Sequence, residues 1–130
     1  MFSKYSLRTN EKNQMKNITS KIKDHIKDTG IESGICLVYC PHTTAAITIN
    51  EGADPAVKKD VLQALDEQVP NIDFDHAEGN SDAHLKSSII GCSEQIPIKN
   101  SKLQLGNWQK VYFCEFDGPR SRSFYVKIIG

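Results

Sequence analysis

The chain has 130 residues, the size of a single domain spanning residues 1–130. Its 16 Lys and Arg residues balance 16 Asp and Glu residues, and the zero net charge argues against a nucleic-acid partner, which usually requires a basic excess. No apolar run reaches membrane-spanning length and the N-terminal MFSKYSLRTN lacks a secretory apolar core, so we expect a cytoplasmic protein with no membrane partner. The four cysteines show no C-x-x-C spacing and are expected to be buried or half-buried thiols.

The first elements in chain order are a strand, a helix and two further strands. The alternating stretch SKYSLRT (residues 3–9) predicts an edge strand. Isoleucines recur at every fourth position within residues 17–30 and predict an amphipathic helix that ends at Gly30. The apolar GICLVYC (residues 34–40) predicts a strand buried on both faces, and PHTTAAITINEG (residues 41–52) predicts the next strand.

The second half begins with the clearest helix signal and ends in strands. DPAVKKDVLQALDEQV (residues 54–69) predicts a helix capped by Asp54, with Pro55 at the first helical position. Residues 71–82 lack periodicity and predict a polar loop, and residues 83–91 predict a short helix. The remainder contains four strands with short connections, which favours antiparallel pairing. The chain is therefore predicted to have an α+β fold, a mainly antiparallel sheet or sandwich with two or three packed helices.

The stretch PHTTAAITINEG has two different faces, because side chains alternate along a strand. One face is apolar, whereas the other has hydroxyls, an amide and an imidazole but no Lys, Arg or Glu side chain. A solvated face usually carries such charges, so the polar face predicts a partly enclosed ligand pocket or a wet subunit interface, and a site at an interface satisfies both. The polar face comprises His42, Thr44, Ala46, Thr48 and Asn50.

Histidines and carboxylates cluster again in DHAEGNSDAH. His76, Glu78, Asp82 and His84 fall within nine residues. Imidazoles and carboxylates are zinc ligands, and Gly79 allows a turn that would point both histidines at one spot. An ordinary solvated loop has the same composition, and the H-x-E-G-x4-H spacing matches no zinc signature. The motif therefore predicts a metal site only in combination with other residues.

Potential anion ligands follow the Gly-Pro turn in EFDGPRSR. Arg120 and Arg122 share a face if the segment is extended, and the planar guanidinium fork suits phosphate or carboxylate. Ser87, near the start of the short helix, is a further candidate anion ligand, since a helix start offers free N–H groups. The alternative for the two arginines is a solvated strand start.

Several blocks together resemble one known family. HTTAAITINEGADP, DHAEGNSDAHLKSSIIG, IPI, LQLGNWQ and EFDGPRSR, in this order and at these intervals, are similar to the YjbQ-like family, often labelled secondary thiamine-phosphate synthases. The resemblance extends from about Lys4 to Gly130. It implies a small single-domain α+β protein that forms a homotrimer, acts on a small phosphorylated metabolite and has weak transferase activity. That activity joins hydroxymethylpyrimidine diphosphate to thiazole phosphate.

The family pattern falls on the same histidines and polar residues, so the resemblance implies one composite site. The expected metal ligands are His42, His76 and His84. The expected catalytic residues are Thr44, Glu51 and Glu78. The expected substrate- or phosphate-binding residues are Thr43, Asn50, Ser87, Arg120 and Arg122. His25 lies outside the pattern and is expected to be a surface or packing residue.

The sequence leaves the metal and the reaction open. Three imidazoles suit zinc, whereas magnesium prefers the oxygen ligands that Glu51, Asp54, Glu78 and Asp82 offer. Zinc-bound hydroxide would favour hydrolysis of an unidentified substrate, with Glu78 as the base. The other alternative is a non-catalytic trimer that holds phosphate or a metal.

Overall fold

The strands of the described residues pair antiparallel into two sheets. The computed structural model describes residues 2–69 and 79–130. In chain order the strands are β1 (Phe2–Arg8), β2 (Gln14–Asn17), β3 (Gly34–Tyr39), β4 (Ala45–Glu51), β5 (Ser93–Lys99), β6 (Lys102–Leu103), β7 (Gln109–Glu115) and β8 (Ser121–Ile129), and the helices are α1 (Thr19–Thr29), α2 (Pro55–Gln68) and α3 (Ser81–Ile90). One sheet has the order β1-β8-β3-β5-β6 and the other β2-β7-β4. The predicted α+β fold is confirmed.

The main apolar core lies between the two sheets. Inward side chains of both sheets and of α1 meet there, and Ile22, Phe113 and Phe124 are fully buried. A second cluster, which includes Ala46 and Leu65, fills the space between the other face of the three-stranded sheet and the helices α2 and α3. Strand β4 is therefore covered on both faces, and its position is fixed from two sides. Burial of each large apolar side chain contributes roughly 1.5–3 kcal/mol.

Most of the helix starts and ends that the sequence predicts are found in the structure. Asp54 Oδ1 accepts a hydrogen bond of 2.9 Å from the backbone N–H two residues on, and Pro55 is the first residue of α2. Gly30 ends α1 with a φ of 68°, the left-handed region that favours glycine. The third helix begins at Ser81, two residues earlier than predicted, while Pro70 and residues 71–78 lie outside the described residues. No helix within the described ranges is long and apolar enough to cross a membrane.

The prediction that residues 34–40 are buried on both faces is wrong. Cys36 and Val38 point inward and are fully buried, whereas Ile35 is 41% exposed and Tyr39 is 40% exposed. None of the described residues forms a layer over the outer face of the five-stranded sheet, so the alternate side chains of β3 face solvent in a single protomer. Cys92 is exposed as well, unlike the other three thiols.

Candidate functional site

A polar cleft lies where the residues before β4, the start of α3 and the β7–β8 turn meet. Its volume is about 340 Å³, which is sufficient for a small metabolite. The cleft brings together three motifs that are distant in the sequence. They are the start of HTTAAITINEG, the helical end of DHAEGNSDAH and the turn in EFDGPRSR. The lining residues are Pro41, His42, Thr43, Thr44, Asn80, His84, Asp117, Arg120 and Arg122.

The imidazole of His42 is held in place by the backbone of β8. Its Nε2 atom accepts a hydrogen bond of 3.0 Å from the Ser123 N–H, and its ring meets the Phe113 ring edge-on at 6.3 Å between centroids. Burial, followed by the nearby positive charge of Arg122, lowers the pKa of His42. The ring is therefore neutral near pH 7 and carries its proton on Nδ1, which makes Nδ1 a hydrogen-bond donor.

Arg122 is the buried cation of the cleft. Its Nε and Nη2 atoms donate to both carboxylate oxygens of Glu115, with an Nε–Oε1 distance of 2.8 Å. The Nη2 atom also donates to the Thr44 hydroxyl at 2.7 Å and to the Thr44 carbonyl at 3.2 Å. The side chains of Arg122 and Glu115 are 3% and 0% exposed. This bidentate geometry fixes the plane of the guanidinium, as forked arginine–carboxylate pairs do.

The carboxylate of Glu115 is fully satisfied although it is inaccessible to solvent. Thr9 Oγ1 donates to Oε1 at 2.7 Å, and the Asp117 N–H donates to Oε2 at 3.0 Å. Burial alone would raise the pKa of Glu115, but the hydrogen bonds from Arg122 and Thr9 outweigh it and lower that pKa below its usual range. Glu115 is therefore ionised at neutral pH.

A second arginine–carboxylate pair lies at the mouth of the cleft. Arg120 Nη2 donates to Asp117 Oδ2 at 2.9 Å, and its Nε donates to the Asp117 carbonyl at the same distance. Asn80 Nδ2 donates to the same carboxylate oxygen at 2.8 Å and so ties α3 to the β7–β8 turn. Gly118 completes this turn, where a Cβ atom would approach the Glu11 carbonyl oxygen to 2.3 Å. Only glycine fits there.

The third helix supplies one of the predicted site residues to the cleft but not the other. His84 lines the cleft and is half-buried. Ser87, predicted to bind phosphate, is 8% exposed and donates its hydroxyl to the Ala45 carbonyl at 2.6 Å. Its hydroxyl therefore links α3 to β4.

Asn50 and Glu51 lie at the opposite end of β4 from the cleft. Glu51 is six positions after Ala45, so the two ends of the strand are about 20 Å apart at ~3.3 Å per residue. Neither Asn50 nor Glu51 lines the cleft within one protomer. On the predicted polar face, only Asn50 is exposed. Ala46 packs under α2 and α3, and the Thr44 hydroxyl accepts a hydrogen bond from Arg122.

The described residues do not complete a metal centre by themselves. Two of the predicted ligands, His42 and His84, line the same cleft, whereas His76 and Glu78 lie outside the described residues. In the described ranges no three His, Cys, Asp or Glu side chains are grouped to hold a metal ion. Zinc sites in proteins use at least three protein ligands. Two imidazoles, one of them bonded through Nε2 to Ser123, do not meet that requirement.

Sequence reasoning missed three residues of this site: Glu115, Asp117 and Asn80. Glu115 carried a usable signal, because a carboxylate inside the apolar strand segment VYFCEF requires a buried partner. Arg122 is that partner, seven residues later. Asp117 and Asn80 are polar residues of a turn and a helix start, and nothing in their local sequence separates them from solvated ones.

A larger groove lies elsewhere, between α1 and β6. Its volume is about 590 Å³, and it is lined by lysines and apolar side chains, including Lys23, Lys27, Lys102 and Leu103. It contains no imidazole, carboxylate or buried charged side chain. We therefore place the candidate site in the smaller polar cleft, where the titratable groups converge.

Similarity to known proteins extends over the whole chain. A family model described as UPF0047 protein YjbQ-like matches residues 3–130. A UPF0047 protein of Methanocaldococcus jannaschii is 53% identical over 131 residues, which cover 100% of this chain and 95% of that protein. UPF0047 protein YugU of Bacillus subtilis is 49% identical over 132 residues, covering 100% of both.

Solved structures agree with the fold. An uncharacterised YjbQ/UPF0047 family protein of Clostridium acetobutylicum has a TM-score of 0.96 at 52% identity, covering 98% of this chain and 99% of that chain. A YbjQ-like protein of unknown function from Sulfolobus solfataricus has a TM-score of 0.96 at 30% identity, covering 100% of this chain and 96% of that chain.

Proposed function

The chain belongs to the YjbQ-like UPF0047 family, and we propose that its polar cleft binds a small phosphorylated metabolite and supports a thiamine-phosphate synthase-like transfer. One observation carries this proposal: the cleft collects Arg120, Arg122, the hydroxyl-bearing Thr43 and the imidazole of His84 around a single volume. Guanidinium groups, hydroxyls and imidazoles are the side chains that bind phosphate oxygens. The polar lining favours a charged metabolite over an apolar one.

The transfer makes specific demands on these residues. The thiazole nitrogen attacks the methylene carbon of hydroxymethylpyrimidine diphosphate, an N–C bond forms, the C–O bond breaks, and pyrophosphate leaves with the bonding electrons. Negative charge grows on the departing oxygen, so the useful groups are fixed N–H donors around it. Arg122 offers such donors in a buried setting, and His42 offers an Nδ1–H. Neither needs to gain or lose a proton for this role.

Binding of a divalent cation, zinc or magnesium, remains a prediction. It would neutralise charge on the diphosphate, but the described residues supply only two imidazoles for it, and the predicted third ligand is His76. Metal analysis of purified protein, with and without chelator treatment, tests this part separately. Less than about one equivalent per site before chelation, with activity unchanged after it, would remove the metal from the proposal.

The direct test is turnover of the two precursors by purified protein. We expect thiamine phosphate to form, and we expect His84→Ala and Arg120→Ala each to lower kcat/KM about tenfold or more. Glu94→Gln, on β5 and outside the cleft, is the matched control and should not change the rate. Equal rates for all variants would show that the activity does not belong to this cleft. Saturable pyrophosphate binding without product would favour a non-catalytic binding module instead.

A homotrimer and a cytoplasmic location also stay predictions. The exposed apolar side chains of the outer sheet face, among them Phe2, Ile35, Tyr39 and Ile129, support self-association because large apolar patches on a monomer are uncommon. In a trimer, Asn50 and Glu51 of one protomer could also lie beside the cleft of another protomer. Sedimentation of a stable monomer at micromolar concentration would rule out this part of the proposal.

A further inference from the structure

We propose that Glu115 is a positioning residue, which holds the Arg122 guanidinium so that one of its nitrogens is presented to an anion in the cleft. This inference rests on the proposed function, because it describes how the anion subsite of that cleft is built. Glu115 does not line the cleft, and it would act through its neighbours.

The hydrogen bonds of Arg122 leave one nitrogen available. Nε and Nη2 are used by Glu115 and Thr44, whereas Nη1 makes no hydrogen bond to any residue in the described ranges. Arg122 is a lining residue of the cleft although it is only 5% exposed. A ligand in the cleft therefore meets an oriented guanidinium edge rather than a mobile cation. Such an edge makes directional, charge-assisted hydrogen bonds to a phosphate oxygen.

Glu115 also orders the turn that carries the second arginine. Thr9 Oγ1, which donates to Glu115, accepts a hydrogen bond of 3.0 Å from the Arg120 N–H. The Asp117 N–H donates directly to Glu115 at 3.0 Å. One buried carboxylate thus fixes the side chain of Arg122 and the backbone on both sides of the Gly118 position. Both arginines of the cleft depend on it for their orientation.

Stability alone does not account for a pair of this kind. Removing two charges from water costs several kcal/mol, and replacing a buried ion pair by apolar residues is often neutral or stabilising. A sequence selected only for a stable core could place apolar residues at both positions. What the pair supplies, and apolar residues do not, is a rigid cation at the wall of a polar cleft.

The buried carboxylate has a second consequence. It offsets the formal charge of Arg122, so the subsite attracts an anion through aimed hydrogen bonds more than through net charge. Loss of the Glu115 carboxylate would make the subsite more positively charged and would leave the Arg122 guanidinium less firmly oriented. The two explanations for anion binding, net charge and orientation, therefore predict opposite effects for the same substitution.

Pyrophosphate binding measured by isothermal titration separates them. We expect Glu115→Gln to weaken pyrophosphate binding about tenfold or more, since the amide N–H₂ cannot accept from the guanidinium and Arg122 would turn away. Arg122→Lys keeps the charge but loses the fork, and it should weaken binding by a similar factor. Glu94→Gln, on β5 and outside the cleft, is the control. Unchanged or tighter pyrophosphate binding by Glu115→Gln or by Arg122→Lys would overturn the inference.

A double-mutant cycle tests whether Glu115 acts through Arg122. If it does, Glu115→Gln should cost less pyrophosphate affinity in the Arg122→Met background than in the unmodified protein, and the loss that remains comes from the turn that carries Arg120. Independent, additive losses would overturn the positioning role, and a fall in Tm without a loss of affinity would mean a purely structural role. Should Glu115→Gln fail to fold, Arg122→Lys still keeps the inference falsifiable, because unchanged pyrophosphate binding by this variant would show that an oriented guanidinium fork is not needed.

The two levels of the proposal fail in different ways. If the unmodified protein binds no pyrophosphate, the proposed function of the cleft is wrong. If it binds pyrophosphate and Glu115→Gln binds it equally well, the cleft keeps its function and only the role of Glu115 is wrong.

Discussion

Two arginine–carboxylate pairs stand side by side at the cleft, and they differ mainly in burial. The side chains of Arg122 and Glu115 are 3% and 0% exposed, whereas those of Arg120 and Asp117 are 49% and 20% exposed. Breaking a buried pair leaves an unpaired charge without water, whereas an exposed pair exchanges one partner for solvent. Two arginine–carboxylate pairs, only a few positions apart in the chain, therefore differ in rigidity: the buried pair is held in one geometry, whereas the exposed pair can rearrange.

Removing the carboxylate from each pair should change folding stability by very different amounts. Glu115→Ala leaves Arg122 buried without its partner and should lower the free energy of unfolding by about 3–5 kcal/mol. Asp117→Ala, the matched change in the exposed pair, should cost about 1 kcal/mol or less. Urea unfolding of both variants measures the difference. Similar losses for the two variants would show that burial does not separate the pairs.

Acid should affect the buried pair in a characteristic pH range. The pKa of Glu115 in the folded state lies below its unfolded value of 4.5, so the folded protein binds fewer protons. The stability that Glu115 contributes is therefore fully present above pH 4.5 and is lost as the pH falls below that value. Glu115→Gln should flatten the pH dependence of the unfolding free energy in this range. An unchanged slope in urea titrations at several pH values would contradict the ionised pair.

The pKa of His42 reports the charge of each arginine separately. Burial lowers this pKa first, Arg122 lowers it further, and Arg120 has the smaller influence. Arg122→Met should therefore raise the His42 pKa, and Arg120→Met should raise it less. An NMR titration of the imidazole resonances measures both shifts. A larger shift for Arg120→Met would reverse the assignment of the nearer cation.

Salt should weaken the exposed pair by a small amount. At about 1 M salt the screening length falls to about 3 Å, which screens exposed charges far more than buried ones. The coupling between Arg120 and Asp117, roughly 0.2–1 kcal/mol at low salt, should fall towards zero. The coupling between Arg122 and Glu115 should persist. Double-mutant cycles at two salt concentrations test this, and an equal decrease for both pairs would contradict the comparison.

Most of the secondary structure was predictable because its signals are local. The cap at Asp54, the stop at Gly30 and the isoleucine spacing of α1 each involve a few neighbouring residues. The burial of β3 was not predictable, since an apolar strand has the same composition whether its second face meets a helix layer or solvent. His25 was expected to be either a surface or a packing residue, and the structure buries it, with its Nδ1 bonded to the Tyr5 hydroxyl at 2.9 Å.

The candidate site was predictable in part. The His42 stretch, His84 and the two arginines meet in one cleft, whereas Asn50, Glu51 and Ser87 do not reach it. For Asn50 and Glu51 the cause is geometric, because a straight strand carries residues at its two ends about 20 Å apart. A motif that is continuous in the sequence can therefore belong to two separate places in the fold. His76, predicted to be a metal ligand, and Glu78, predicted to be catalytic, lie outside the described residues.

Most helices and strands, the cap at Asp54 and the set of polar residues from which a site could be built follow from the amino-acid sequence, because they depend on neighbours along the chain. Which arginine is buried and which polar residues share a cleft depend on how the sheets and helices pack. It also paired Glu115 with Arg122, an ion pair whose strength depends on exclusion from water. Burial is a property of what packs around a residue: Arg122 pairs with Leu7 of β1, and Glu115 pairs with Gln14 of β2 and Ala45 of β4, all far from EFDGPRSR in the sequence.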